Sequence, residues 1–119
     1  MINSFEDLVV WQKAMDLVVD VYRIVKLLPK EELYALSDQM RRAAVSIPSN
    51  IAEGKGRNST KEYVNFLSIA KGSTAELRTQ LMICKRLLYI NDQELEQSLR
   101  ISEEVGKMLT SLSASLSST

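Results

Sequence analysis

The sequence predicts an all-α fold, an antiparallel up-down-up-down four-helix bundle that forms one domain over residues 1–119. Three observations predict this fold. Apolar residues recur at steps of three and four along nearly the whole chain, which is the spacing of one helix face. Short breaks that carry proline, glycine or asparagine separate four such stretches, and turns this short join neighbouring helices in antiparallel order. No stretch alternates apolar and polar residues as a half-buried strand would, so we expect no sheet.

The first helix is predicted at about residues 6–28. Pro29 ends it, because proline disfavours the helical conformation of the residue before it. Two apolar rows run along this helix and make its apolar face wider than a coiled-coil seam. A face this wide leaves apolar area for contact with another subunit. One row consists of Leu8, Trp11, Met15, Val18, Tyr22 and Val25, and the other of Ala14, Leu17, Val21, Ile24 and Leu28.

The second helix is predicted at about residues 31–54, with acidic residues at its start and Gly54 at its end. Pro48 lies inside it, and the apolar spacing continues from Ile47 to Ile51. Proline removes one backbone hydrogen bond and crowds the preceding turn, so a kink at Pro48 is predicted rather than a helix end. Nearby polar side chains are expected either to bond the loosened backbone or to face outward: Ser46, Ser49 and Asn50.

The third helix is predicted at about residues 59–88 and the fourth at about residues 92–116. Ser59 or Thr60 can cap the third helix, and Ser59 has a glutamate three residues later, which is the spacing of a capping box. Asn91 or Asp92 can cap the fourth helix. Small residues cluster in the third helix and would let a neighbouring backbone approach closely: Ala70, Gly72, Ser73 and Ala75.

The composition limits the chemistry that the chain can perform. It has 15 basic residues, 15 acidic residues, no histidine and one cysteine, Cys84. A histidine-based catalytic triad and a usual zinc site therefore cannot be built. The carboxylate pairs also lack the Glu-x-x-His motif of di-iron bundles. We predict that the protein is not an enzyme and uses no catalytic residue, metal or cofactor. Cys84 lies in an apolar row, so a buried thiol is expected.

The sequence also indicates a location. The N-terminal segment carries acids where a signal peptide has a basic start followed by an apolar run. No stretch is apolar over the roughly 18 residues of a membrane span. A single cysteine fits a reducing compartment. We therefore expect a cytoplasmic protein that does not enter a membrane.

Basic residues are concentrated in the middle of the chain, although the formal net charge is zero. Residues 92–104 are acidic by contrast, and basic residues recur at seven-residue intervals along the third helix. Such a surface can be an ordinary solvated face, can pair with the acidic segment within or between subunits, or can contact nucleic-acid phosphates. The candidate phosphate contacts are Arg41, Arg42, Lys55, Arg57, Lys61, Lys71, Arg78 and Lys85.

Residues 41–57, RRAAVSIPSNIAEGKGR, closely resemble the signature of a bacterial four-helix-bundle family that is often encoded in intervening sequences of 23S ribosomal RNA genes. The segments FEDLVVWQKAMDLVVDVY at residues 5–22 and FLSIAKGSTAELRTQL at residues 66–81 resemble it too. The resemblance extends from Phe5 to about Leu109, and it rests on long strings in fixed order.

The resemblance implies an all-helical bundle that assembles into homopentamers. The family is similar in fold to the accessory protein of diversity-generating retroelements, a pentameric barrel that binds reverse transcriptase and nucleic acid. Contact with RNA is therefore an expectation for this chain. Relatives often carry glycine before the tyrosine that ends the third helix, whereas this chain has Leu88 before Tyr89. The third helix is accordingly expected to run on to residue 88.

Two functions stay open on this evidence. The first is a non-enzymatic, ring-forming homo-oligomer, of five subunits by resemblance, that associates with RNA or another nucleic acid through the eight basic residues. In a ring, weak contacts from each subunit add up to strong avidity. The second is an adaptor whose basic strip docks acidic protein partners without nucleic acid. Salt dependence separates them, because phosphate contacts release counterions from the nucleic acid.

Overall fold

The computed structural model describes residues 4–118 and contains four α-helices. They are α1 (Val9–Val25), α2 (Leu36–Lys55), α3 (Thr60–Arg86) and α4 (Asp92–Ser117). Short 3-10 helices at Phe5–Asp7 and Lys30–Glu32 precede α1 and α2. No strand occurs between residues 4 and 118. The predicted all-α four-helix bundle is confirmed.

The four helices surround one core in chain order. Each helix packs against the next, and α4 packs back against α1. Within the described residues no Cα atom of α1 comes within 8 Å of one in α3, so these two helices occupy diagonally opposite corners of the bundle. The molecule measures 46 × 24 × 20 Å. The 27 residues of α3 extend over about 40 Å at the helical rise, so α3 runs along nearly the whole length.

The core is mainly aliphatic, and it buries the two apolar rows of α1 to different extents. The row that contains Ala14 and Leu17 is buried, whereas Met15 and Tyr22 of the other row stay exposed. Burial of each large aliphatic side chain stabilises the fold by about 1.5–3 kcal/mol. The fully buried large side chains are Leu17, Val21, Ile24, Met40, Ile47, Ile51, Leu67, Leu77, Leu81, Leu95, Val105 and Leu109.

The first two helices begin later than the predicted residues 6 and 31. α1 begins at Val9, because Leu8 is extended, with φ −73° and ψ 125°, and separates α1 from the preceding 3-10 helix. α2 begins at Leu36, because Lys30–Glu32 form a 3-10 helix and Ala35 has non-helical angles, φ −121° and ψ −104°. The acids after Pro29 therefore start a single 3-10 turn and not the long helix.

α3 ends at Arg86, before the predicted residue 88, in a Schellman motif. The Tyr89 N–H donates to the Cys84 carbonyl and the Leu88 N–H donates to the Lys85 carbonyl, both at 3.0 Å. This arrangement holds Leu88 in the left-handed region, with φ 62°, where glycine is the usual residue. The helix therefore does not continue to residue 88, and the turn forms although leucine and not glycine occupies this position.

α2 continues through Pro48, which is buried. Asn50 Nδ2 donates to the Ser46 carbonyl at 2.8 Å and to Ser46 Oγ at 2.9 Å. Ser46 Oγ in turn lies 2.9 Å from Ser73 Oγ of α3. Ser46 and Asn50 therefore bond the backbone and a neighbouring helix, whereas Ser49 is exposed. The kink at Pro48 stays a prediction.

Gly54 lies inside α2, which extends to Lys55, and does not end the helix. A Cβ atom at Gly54 would come within 2.8 Å of Phe66 Cβ and 3.1 Å of Tyr63 Cδ1. Contacts below 3.0 Å require a shift of the helices or of the rings. This glycine therefore permits the close approach of α2 and α3.

Candidate nucleic-acid interface

A groove of about 690 Å³ runs between α3 and α4 at the surface of the bundle. Small residues on both helices line it, among them Ala75 and Gly106. A Cβ atom at Gly106 would meet no atom of another residue within 4 Å. Because small side chains fill little of this space, the groove is open to a ligand or to another chain.

Three cations and one acid line the groove: Lys71, Arg78, Lys107 and Glu103. Lys71 and Arg78 are exposed and form no ion pair within residues 4–118. They are one heptad apart, about 10 Å along the same side of α3. Lys107 Nζ lies 3.2 Å from Glu103 Oε1, but an exposed pair of this kind is weak. The groove therefore carries an excess of positive charge that an anion can use.

The groove also holds four hydroxyl groups, of Thr74, Ser102, Thr110 and Ser111. The first three each donate to a carbonyl of their own helix, at distances between 2.8 and 3.1 Å. The Ser111 hydroxyl makes no hydrogen bond with another described residue, so it can donate to a ligand. An anion in this groove would be held mainly by the cationic side chains.

The groove brings together only two of the eight predicted basic residues, Lys71 and Arg78. Lys85, one heptad further along α3, lies 2.9 Å from Asp92 Oδ1 at the start of α4. The acidic end of α4 therefore pairs with part of the basic ridge of α3 inside one subunit. This is one of the alternatives that the sequence left open.

Arg41 and Arg42 lie near the start of α2, at the end of the bundle where α3 finishes. Met40 Sδ is 3.6 Å from Cys84 Sγ, which places these two helix ends side by side. Arg41 donates to the Leu33 carbonyl at 3.3 Å. Arg42 donates to Asp38 at 2.9 Å in an exposed ion pair. Both arginines are thus positioned by contacts with their own end of the bundle.

Lys55, Arg57 and Lys61 lie at the other end of the bundle, around the connection between α2 and α3. Arg57 donates to Glu53 at 3.1 Å, and its guanidinium carbon lies 4.6 Å from the centre of the Phe66 ring. The ion pair and the cation–π contact fix this side chain. Residue 55 is about 21 Å from residue 41 along α2. The predicted residues therefore form three groups and not one surface.

Lys107 and Ser111 belong to the groove but not to the predicted set. Lys107 lies on α4 just beyond the acidic segment and one heptad after Arg100, which pairs with Glu104 and does not line the groove. The available signal is the small residues: Ser102 and Gly106, four residues apart, interrupt the otherwise aliphatic stripe of α4. Small residues at this spacing mark a shallow place between helices, here opposite Ala75 of α3.

A second surface, on α1 and α2, exposes large apolar side chains. Val19 is 70% exposed, and Met15, Tyr22 and Val45 are exposed as well. Two shallow grooves cross this surface and share Val18. Contiguous apolar patches on a protein surface commonly mark interaction sites. We call this surface the α1–α2 apolar face, formed by Trp11, Met15, Val18, Val19, Tyr22 and Val45.

Cys84 is fully buried, as expected from its place in an apolar row. Burial raises the pKa of its thiol to about 11, and the nearby Glu32 carboxylate adds to this rise. The thiol is therefore protonated at neutral pH, and a protonated thiol is a poor nucleophile.

Two other kinds of feature are absent from residues 4–118. None of the helices there combines the length and hydrophobicity that crossing a membrane requires. No three or more histidine, cysteine, aspartate or glutamate side chains of this part of the chain cluster as metal ligands would.

Residues 6–111 match the family model described as 23S rRNA-intervening sequence protein. A solved structure covers 87% of this chain and 97% of its own, with a TM-score of 0.81 and 28% sequence identity. It is the 1.70 Å crystal structure of a protein with unknown function from the S23 ribosomal protein family of Bacteroides thetaiotaomicron VPI-5482. No curated protein matches the chain.

Proposed function

The chain belongs to the 23S rRNA-intervening sequence protein family, and we propose that it is a non-enzymatic, self-associating helical scaffold that binds RNA in the groove between α3 and α4. By resemblance to the family, the assembly is a ring of five subunits. The protein works in this proposal by holding phosphates and not by chemical catalysis.

The charge of the groove carries this proposal. Lys71, Arg78 and Lys107 outnumber the one acid Glu103, and the first two lack an ion partner among the described residues. Lysine and arginine contact phosphates regardless of base sequence. The groove is therefore suited to binding a nucleic-acid backbone without selecting a base sequence. A zero formal net charge makes one subunit a weak binder of RNA. Several grooves in one assembly can contact the same RNA, which raises the avidity.

Support for self-association comes from the α1–α2 apolar face. Its side chains include Met15 and Tyr22 from one apolar row of α1, which the core of the subunit leaves exposed. Water-exposed aliphatic and aromatic groups at this density favour burial against another protein surface. A second copy of the chain is the partner that is always present at the concentration of the protein itself.

Binding of a fluorescein-labelled single-stranded RNA, followed by anisotropy as salt is raised, tests the RNA part. With three phosphate contacts per groove, the logarithm of the binding constant should fall with the logarithm of salt concentration with a slope of about −2. In the variant Lys71→Gln/Arg78→Gln/Lys107→Gln we expect affinity at low salt to fall by at least about tenfold and the slope to approach zero.

A matched control removes the same charge elsewhere. The variant Lys55→Gln/Lys61→Gln/Arg86→Gln changes three cations that do not line the groove, and it should bind RNA nearly as the unmodified protein does. Equal losses in both variants would show that binding follows total charge and would contradict the groove. Absence of RNA binding at low salt would reject the RNA scaffold and favour the adaptor, in which the groove holds acidic side chains of a protein.

A further inference from the structure

α3 carries an unpartnered face on the side away from the core. Ile69 and Ile83 are exposed there, and Gly72, Glu76 and Thr79 lie between them in the sequence. These five residues follow one another at steps of three and four, so they share one side of the helix. We call them the α3 face. A Cβ atom at Gly72 would meet no atom of another residue within 4 Å, so another helix can approach closely here.

We infer that the α1–α2 apolar face of one copy covers the α3 face of a second copy. The inference rests on the self-association proposed above and names the two surfaces that meet. The α1–α2 apolar face presents bulky side chains, among them Trp11 and Tyr22, whereas the α3 face has glycine and threonine in its centre. Bulky groups over small ones give the close packing of a protein interface.

The charges at these two faces are complementary. Glu76 is the only charged member of the α3 face, and it forms no ion pair within residues 4–118. Within residues 4–118 the Glu76 carboxylate accepts one side-chain hydrogen bond, from Gln80 Nε2 at 3.4 Å. Lys26 lines one of the two shallow grooves of the α1–α2 apolar face, beside Val19 and Tyr22. It too forms no ion pair within residues 4–118. Contact between the faces can bring Glu76 of one copy to Lys26 of the next.

The available area suits a stable interface. One long side of the molecule, 46 × 20 Å, presents on the order of 900 Å², and a standard interface buries about 800 Å² on each partner. The α1–α2 apolar face spans two helices, whereas the α3 face lies on one helix and is the narrower of the two surfaces. A second copy therefore accounts for the exposed apolar side chains of both faces with one contact.

The position of the helices determines the kind of assembly. Since α1 and α3 lie at diagonally opposite corners, the two faces point to opposite sides of the subunit. Their contact is heterologous, which means that every added copy leaves one face of each kind uncovered until the chain of subunits closes. One such contact type builds a closed ring where the rotation between successive copies completes a full turn, and an open filament where it does not.

Two charge variants test the pairing. Val19→Glu places a carboxylate in the α1–α2 apolar face at a position that is 70% exposed. Gly72→Glu places one in the α3 face, where the added Cβ meets no atom of another residue within 4 Å. Each variant should retain its helicity and lose assembly, and light scattering should then report the 13.4 kDa of one chain. Tyr34→Glu, at a position that is 91% exposed outside both faces, is the control and should assemble normally.

An equimolar mixture of the two variants is the decisive sample. The Val19→Glu chain keeps an intact α3 face and the Gly72→Glu chain keeps an intact α1–α2 apolar face, so one contact per pair remains. The mixture should form a dimer of twice 13.4 kDa and nothing larger. If the mixture stays monomeric, or if either variant alone assembles like the unmodified protein, other faces mediate assembly and the inference is overturned. If the unmodified protein is itself monomeric at micromolar concentration, the proposed self-association fails first.

Discussion

Tyr89 donates its hydroxyl to Glu32 Oε2 at 2.8 Å, across 57 positions of the sequence. The bond joins the turn between α3 and α4 to the 3-10 helix before α2. It raises the pKa of Tyr89 above the ordinary value of 10.0, chiefly because the hydrogen bond to Glu32 favours the protonated phenol, and desolvation adds to this. Two connections at one end of the bundle are thus held together by a titratable pair.

We expect Glu32→Gln to return the pKa of Tyr89 towards its ordinary value. Since folding raises this pKa, the contribution of the pair to stability is fully present below about pH 10 and is lost as the pH rises through the folded-state pKa. Ultraviolet titration of tyrosinate, assigned by difference against Tyr89→Phe, measures the shift. Glu31→Gln, beside it in sequence, is the control and should lower the pKa much less. Identical titration curves for Glu32→Gln and the unmodified protein would contradict the prediction.

Leu88→Gly should stabilise the protein by about 1 kcal/mol, because the left-handed conformation is strained for leucine and not for glycine. Leu88 is 89% exposed, so little packing is lost. Urea unfolding at neutral pH measures the change. The neighbouring Leu87→Gly should instead destabilise by about 0.5–1 kcal/mol, because Leu87 has φ −80°. Equal effects at both positions would show that the sign of φ does not matter here.

Gly54→Ala should lower the free energy of unfolding by about 1–3 kcal/mol, the usual effect of an overpacked contact. The added methyl group would lie 2.8 Å from Phe66 Cβ. Gly106→Ala, where nothing from another residue lies within 4 Å, is the matched control and should stabilise the helix by about 0.5–1 kcal/mol. Thermal unfolding of the two variants side by side should give shifts of opposite sign, and shifts of the same sign would count against the close approach of α2 and α3.

Gln80→Met should stabilise the protein by about 1 kcal/mol, because it removes a buried acceptor that lacks a donor. Gln80 is 4% exposed, and its Oε1 has no hydrogen-bond partner among the described residues. Gln80→Glu has nearly the same shape but buries a charge beside Glu76, so it should be destabilising. Chemical denaturation measures the free energy of unfolding of both variants. A loss of stability in Gln80→Met would show that the Gln80 amide makes a stabilising hydrogen bond.

Helix existence was predictable from this sequence, because apolar spacing is set by the helix itself. The caps were predictable for the same local reason: Ser59 accepts from the Glu62 N–H, and Asn91 forms a full capping box with Glu94. The connections were less predictable. Leu88 adopts the left-handed conformation that leucine disfavours, so its residue type does not reveal the turn.

The candidate site was only partly predictable. Spacing along α3 placed Lys71 and Arg78 on one side of the helix, but it could not show that Lys107 of α4 lies across the same groove. Likewise, both rows of α1 are apolar, and only the placement of the other helices decides that Leu17 is buried and Met15 is exposed. Sequence periodicity shows which side of its own helix a residue occupies. Which residues of other helices contact it depends on tertiary packing.

The burial of Cys84 has a practical consequence for site-directed labelling. With a pKa of about 11, its thiolate fraction at neutral pH is on the order of one in ten thousand. A cysteine introduced at the surface would therefore be the single thiol that reacts with a maleimide dye or spin label. Each helix can be tagged one position at a time in a chain that keeps its native sulfur atom.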